Sequence, residues 1–181
     1  MLRAPDDVIA FWFEEHGPDD WFAGKPEFDI ACAEAFGETL ERAAKGEAWQ
    51  WRATPEGRLA EIIVLDQFSR QLLRGSPRAF AQDAMALTLA QEAVAAGHDL
   101  AVAKERRTFV YLPYMHSETL VIHDEAVRLF TALGDENNLK YEMAHRDCIR
   151  RFGRYPRRNG PLGRETTPEE AAYLASDAAT F

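Results

Sequence analysis

The sequence predicts an all-α fold, and three observations carry that expectation. Apolar residues recur at helical spacing along nearly the whole chain, proline and glycine cut it into helix-length runs, and strand alternation is absent. The predicted helices cover 5–15, 26–45, 55–74, 77–96, 103–112, 115–133, 138–152 and 168–177, about eight in all.

Each run has its own punctuation. Pro26, Pro55, Pro77 and Pro168 sit where a first helical turn starts, and Thr54, Ser76 and Thr167 precede the last three as N-caps. Gly46, Gly75, Gly97, Gly134 and Gly153 close the runs that follow. In the second helix Phe28, Ala31, Cys32, Ala35, Phe36, Thr39, Leu40 and Ala43 form one stripe; in the seventh, Tyr141, His145, Cys148, Ile149 and Phe152 form another. The helix over 55–74 is apolar nearly all round in its first half, which marks it as central and buried. Pro113 removes a backbone donor inside a long apolar run, so a kink or break is expected just ahead of Met115-His116-Ser117-Glu118. Short links favour antiparallel hairpins, and the second to seventh helices make three pairs stacked in sequence order, with uneven repeat spacing.

Length and composition predict one ordinary globular domain over 1–181. A net charge of −9 and an isoelectric point near 5.1 argue against general nucleic-acid or anionic-membrane binding, since both need a basic surface to neutralise phosphates. The start of the chain turns acidic at Asp6-Asp7, and the longest purely apolar run is Val8 to Phe13, far short of a bilayer span. Cys32 and Cys148 are the only cysteines; they read as buried free thiols, which places the protein in the cytoplasm.

Three polar clusters stand out. Asp66, Arg70 and Arg74 fall at i, i+4 and i+8 with Gln67 alongside, so carboxylate and guanidinium can pair on one helical face. This is either a structural ion-pair network or a pair of arginines clamping a carboxylate or phosphate. The second cluster is Arg106-Arg107 followed by His116, Ser117 and Glu118, with His123 seven residues after His116. His116, His123 and Asp124 with His145 or Asp147 would suit a water-activating metal ion. Yet no ligand-rich motif accompanies the His-Asp dipeptide, and no metal or cofactor is expected.

The third cluster, from Arg146 to Arg164, holds seven arginines, one acid and no lysine, so it carries about +6 and leaves the remainder near −15. An Arg-only segment on an acidic body is expected to fold back onto its own carboxylates. Its planar donors also suit an anion. Phe11-Trp12-Phe13, Trp21-Phe22 and Trp49-Gln50-Trp51 read mainly as core or loop-packing residues.

Several motifs in order carry a resemblance: Phe11-Trp12-Phe13, Trp21-Phe22, Leu65-Asp66-Gln67-Phe68-Ser69-Arg70, Pro113-Tyr114-Met115-His116-Ser117-Glu118, Arg151-Phe152-Gly153-Arg154-Tyr155-Pro156-Arg157-Arg158-Asn159, Leu162-Gly163-Arg164 and Thr167-Pro168-Glu169-Glu170. The chain resembles, over essentially its whole length, the bacterial domain of unknown function family 924. That resemblance implies a tetratricopeptide-like helical fold and brings no activity with it. The family's polar motif positions fall on Asp66, Gln67, Arg70, Arg107, His116, Glu118, His145, Arg154, Asn159 and Arg164. Arg157 stands where a histidine is frequent and His123 where a glutamine is frequent, which argues against either as an indispensable metal ligand or proton-transfer group.

The leading functional expectation is a binding module. Asp66, Gln67, Arg70, Arg107, His116, Glu118, Arg154 and Asn159 would line a pocket or groove for an anionic small molecule or a peptide carboxylate. The alternative is a hydrolase-type enzyme in which His116 or His145 is general acid or base, Glu118 or Asp66 orients it, and arginines stabilise negative charge. A third reading makes the clusters interhelix locks in a structural or protein-interaction domain.

Overall fold

The computed structural model describes residues 1–176, and among these every regular element is a helix. Helix α1 is Pro5–Ala10 and runs on into a π-helical turn, Phe11–Glu15. α2 is Pro18–Trp21 and α3 is Pro26–Ala43. α4 begins as Pro55–Ile63, passes through a second π-helical turn, Val64–Phe68, and finishes as Ser69–Leu72. α5 is Asp83–Ala95, α6 His98–Ala101, α7 Arg107–Met115, α8 Leu120–Leu133, α9 Glu136–Phe152, α10 Asn159–Leu162 and α11 Pro168–Leu174.

The count among the described residues is eleven rather than about eight. The three additions, α2, α6 and α10, are single turns of four residues, too short for a 3.6-residue period to register in sequence. The run over 77–96 divides instead into a 3-10 turn, Pro77–Phe80, and α5. α7 continues through Pro113 and stops after Met115, so the break falls behind Met115 and α8 starts at Leu120 rather than 115. A proline that close to the end of a helix costs only the last turn its regular hydrogen bonding. The predicted end of the last helix, at 177, lies outside the described residues.

The chain divides into two compact units, one formed by Met1–Arg74 with Arg78–Pro113, the other by Gly75–Pro77 and the chain from Tyr114 onward. In the first, α4 is the axis: α1, α3, α5 and α6 all pack on it. Leu59, Ala60, Ile62, Ile63, Val64, Leu65 and Phe68 are almost fully buried there, as the sequence predicts for a helix apolar on every side. Phe11, Trp12 and Phe36 surround Phe68, with Phe36 nearest, its ring tilted at 4.9 Å between ring centres, and Phe28 packs behind on Phe11 and Trp12. Trp21 lies parallel to Trp12 at 5.5 Å and donates its indole N–H to the Trp12 carbonyl at 2.9 Å.

In the second unit α8 and α9 fold back on one another across a two-residue link, Gly134-Asp135. Gly134 ends α8 with φ +73, and the Asp135 side chain caps α9 by accepting from the Asn138 N–H at 3.0 Å. Ala126, Leu129, Phe130 and Leu133 form the buried stripe of α8. Among the described residues no helix is long and apolar enough to cross a membrane.

Thr54 caps α4 as expected, and its hydroxyl accepts from the Gly57 N–H at 3.1 Å. A Cβ on Gly57 would stand 2.1 Å from the Trp51 carbonyl oxygen, a backbone atom that cannot swing aside. Gly57→Ala is expected to cost about 2 kcal/mol, a fall in Tm of roughly 4–8 °C by calorimetry.

Candidate functional site

The first unit holds four of the predicted site residues: Asp66, Gln67, Arg70 and Arg107. Asp66 and Gln67 lie in the π-helical turn of α4 and are buried. Gln67 Nε2 donates to Asp66 Oδ2 at 2.5 Å. One turn on, Arg70 Nη1 stands 3.0 Å from Asp66 Oδ1 and donates to the Asp66 backbone oxygen at 2.9 Å. The same guanidinium closes on both oxygens of Asp83, at 2.9 and 3.0 Å. The i, i+4 pairing read from the sequence is thus present, but the i+8 member leaves the row. Arg74 forks onto Asp29 of α3 at 3.0 and 3.1 Å. Arg107 meets backbone rather than an anion, donating to the Leu100 and Val102 carbonyls behind α6 at 3.1 and 3.3 Å.

The second unit holds His116, Glu118, His145, Arg154 and Asn159, organised by the irregular segment 116–119. Three successive carbonyls at the end of α7 have side-chain donors. The Tyr155 hydroxyl donates to Met115 at 2.5 Å, Arg158 Nη2 to His116 at 2.9 Å, and His123 Nε2 to Ser117 at 2.8 Å. Side chains from three places thereby fix where the loop leaves the helix. Glu118 accepts the Tyr155 backbone N–H at 2.8 Å and the Arg164 fork at 2.9 and 2.7 Å. Burial alone would raise its pKa, but these donors outweigh it and hold the carboxyl below its ordinary range.

Behind the loop, His123 and Glu142 are both 0% exposed and meet at 2.7 Å between Nδ1 and Oε1. Because Nε2 gives its proton to the Ser117 carbonyl, a neutral His123 presents a bare Nδ1. Burial pushes the Glu142 carboxyl up, against the pull of His123, which favours the acid form donating to that nitrogen. His145, one turn along α9, gives its Nδ1 proton to the Tyr141 carbonyl at 2.8 Å. Burial drags its pKa down to about 3, and the Arg158 charge nearby pushes the same way. A general base works best with a pKa near the working pH, and His145 lies far below it.

The Arg-rich segment does fold back onto carboxylates. Arg146 pairs with Asp124, Arg150 with Asp147, Arg151 with Glu169 and Arg164 with Glu118. Arg154 forks onto Glu170 at 2.6 and 2.8 Å, and Asn159 Nδ2 reaches the same carboxylate at 3.2 Å. With the Thr167 N–H added at 2.8 Å, these donors, the Arg154 guanidinium foremost, hold the Glu170 carboxyl down to about 2. His123, Asp124 and Asp147, weighed as metal ligands from the sequence, are thus each engaged by a protein partner.

Asp83, Glu142, Tyr155 and Glu170 organise these clusters and were not singled out by the sequence. Only Glu170 had a readable signal, the Thr-x-x-Glu pattern of a capping box at Thr167, which the structure forms.

A helical protein whose motif residues lie on α4, on the turn behind α7 and on the Arg-rich segment after α9 defines a class, and sequence comparison places the chain within it. The profile of the bacterial proteins of unknown function, DUF924, matches residues 8–178, and the chain belongs to that family. It is similar to the protein of unknown function ATU0120 from Agrobacterium tumefaciens, with 40% sequence identity, a TM-score of 0.90, and alignment over 94% of this chain and 96% of that one. No curated protein matches.

Two outcomes follow from the buried groups. Glu142→Gln preserves a donor to His123 Nδ1 and is expected to keep stability at pH 7 within about 1 kcal/mol in urea unfolding, whereas Glu142→Ala loses about 3 kcal/mol. His145 is harder to protonate folded than unfolded, so the unfolded chain takes up the extra proton. Stability therefore falls as pH drops from 6.5 towards 3, by about 1 kcal/mol per pH unit. His145→Gln should flatten that slope between pH 6.5 and 4.5, above the range where Glu170 titrates.

Proposed function

We propose that this protein is a binding module that takes up a small anionic molecule in the cytoplasm and does not convert it. One observation carries the reading. A cavity of about 110 Å³ in the first unit is lined by Lys45, Arg78, Glu41, Gln82 and Ser69 together with apolar Leu40 and Leu73. Lys45 forms no ion pair among the described residues, and the buried Ser69 hydroxyl has no hydrogen-bond partner there. Arg78 is paired with Glu41, so Lys45 carries the uncompensated positive charge. One uncompensated lysine at the edge of a small, partly apolar hollow suits a compact anion of a few heavy atoms.

The acid–base alternative has less support. His145 is held too acidic to act as a base at neutral pH, and Glu118 spends its oxygens on Arg164 and Tyr155. The pairing of Arg154 and Arg164 supports a different role for the motif arginines, that of locks between segments of the second unit. The binding reading also includes the tetratricopeptide-like stacking of hairpins, for which the folding-back of α8 onto α9 is the supporting feature. Two buried free thiols fit a reducing compartment.

Amide chemical shifts followed while inorganic phosphate, acetate, butyrate and neutral butyramide are added test the assignment. At least one anion should move the signals of Lys45, Ser69 and Gln82 saturably, the amide should not, and Lys45→Ala should weaken the response about tenfold or more. Signals that stay still at these residues for every anion would overturn it.

A further inference from the structure

The last described helix, α11, is only seven residues long, too short to persist without help. Its order comes from what it touches. Glu170 and Tyr173 are buried, Leu174 is partly so, and the remaining residues of α11 face water. The apolar hold is small: Tyr173 and Leu174 rest on Cys148, Ile149, Phe152 and Tyr155, with the Phe152 and Tyr173 rings 5.0 Å apart. The Tyr173 hydroxyl bonds the Cys148 thiol.

The polar hold is larger. The Arg154 fork and Asn159 grip Glu170, Arg151 grips Glu169 at 2.9 Å, and Arg154 Nη2 also reaches the Glu165 carbonyl at 2.8 Å. Three exposed residues, 165–167, lead into the helix. By contrast α8 is fixed mainly by an apolar stripe, with His123 its one buried polar member.

We propose that α11 is a latch held mainly by charge, which opens as a unit while α8 and α9 stay folded, and that it occludes an apolar patch of α9 formed by Cys148, Ile149 and Phe152. Elements with few buried apolar contacts open at low free energy; the exposed Arg151–Glu169 pair weakens with salt, while the Arg154–Glu170 fork, whose carboxylate is buried, is screened less and is undone by removing a partner. Opening therefore responds to ionic strength and to loss of a single pair, and it converts a closed surface into a sticky one.

Cys148, beneath the latch, and Cys32, deep in the first unit, give a built-in comparison. The full chain is alkylated with iodoacetamide at fixed pH, in low and in about 1 M salt, and each thiol is read separately by peptide mass spectrometry. Cys148 labelling should rise measurably with salt and on the order of tenfold in Arg154→Ala, while Cys32 stays unchanged. Hydrogen exchange should quicken over 168–174 and not over 120–133. Should Arg154→Ala fail to fold, Glu170→Gln and the wild-type salt series carry the same comparison. The latch is overturned if both thiols gain reactivity together, or if Cys148 responds to neither salt nor the loss of the pair.

Discussion

A charge taken out of water must bring its partner with it, and that constraint organises this molecule more than any single apolar contact. Glu61 is wholly buried under the Arg52 fork, Asp66 and Glu170 are nearly so under Arg70 with Gln67 and under Arg154, and Glu118 is half-buried under Arg164. Apart from Asp66, whose Arg70 lies one turn on in the same helix, each carboxylate dictates where a guanidinium from a separate stretch of chain must lie, and so fixes the approach of two segments. An unpaired charge at any of these depths costs several kcal/mol, whereas a mispacked leucine costs less. The apolar stripes bring helices together; the forks decide the register in which they stop.

Much of this was legible in the sequence. The apolar encirclement of 59–65 identified α4 as the central helix, and the spacing of Asp66 and Arg70 announced their pairing one turn apart. The bias of 146–164 towards arginine announced a segment that would seek its own carboxylates, and it does. What the sequence could not show is which carboxylates. Asp83 for Arg70, Asp29 for Arg74 and Glu170 for Arg154 are partners 13, 45 and 16 residues away, chosen by packing rather than by periodicity. The His123–Glu142 contact is of the same kind: neither residue sits in a motif, and the pair becomes visible only when α8 and α9 are laid together.

The two π-helical turns, Phe11–Glu15 and Val64–Phe68, fall on two of the chain's motif runs, one aromatic-rich and one carrying Asp66 and Gln67. A π turn inserts one extra residue into a helix and shifts the faces beyond it. In α4 the shift falls between the apolar first half and the polar second half, so Asp66 and Gln67 stay inside while Arg70 reaches outward to Asp83. Nothing in the 3.6-residue pattern of the run signals the insertion. Arg74, expected on the same row as Arg70, turns to α3 because α4 ends at Leu72 and the chain is already in a turn at 73–75.

The arginine forks also give the molecule an unusual relation to its solvent. Guanidinium in solution is the free form of the group that grips Glu61, Glu118 and Glu170, and it offers the same parallel N–H donors at molar concentration. Guanidinium chloride therefore attacks this protein twice, as a general denaturant and as a soluble rival for its carboxylates, whereas urea acts in only the first way. The gap between the two denaturants is a chemical measure of how much of the architecture rests on forks, and it is widest in the second unit, where arginine is densest.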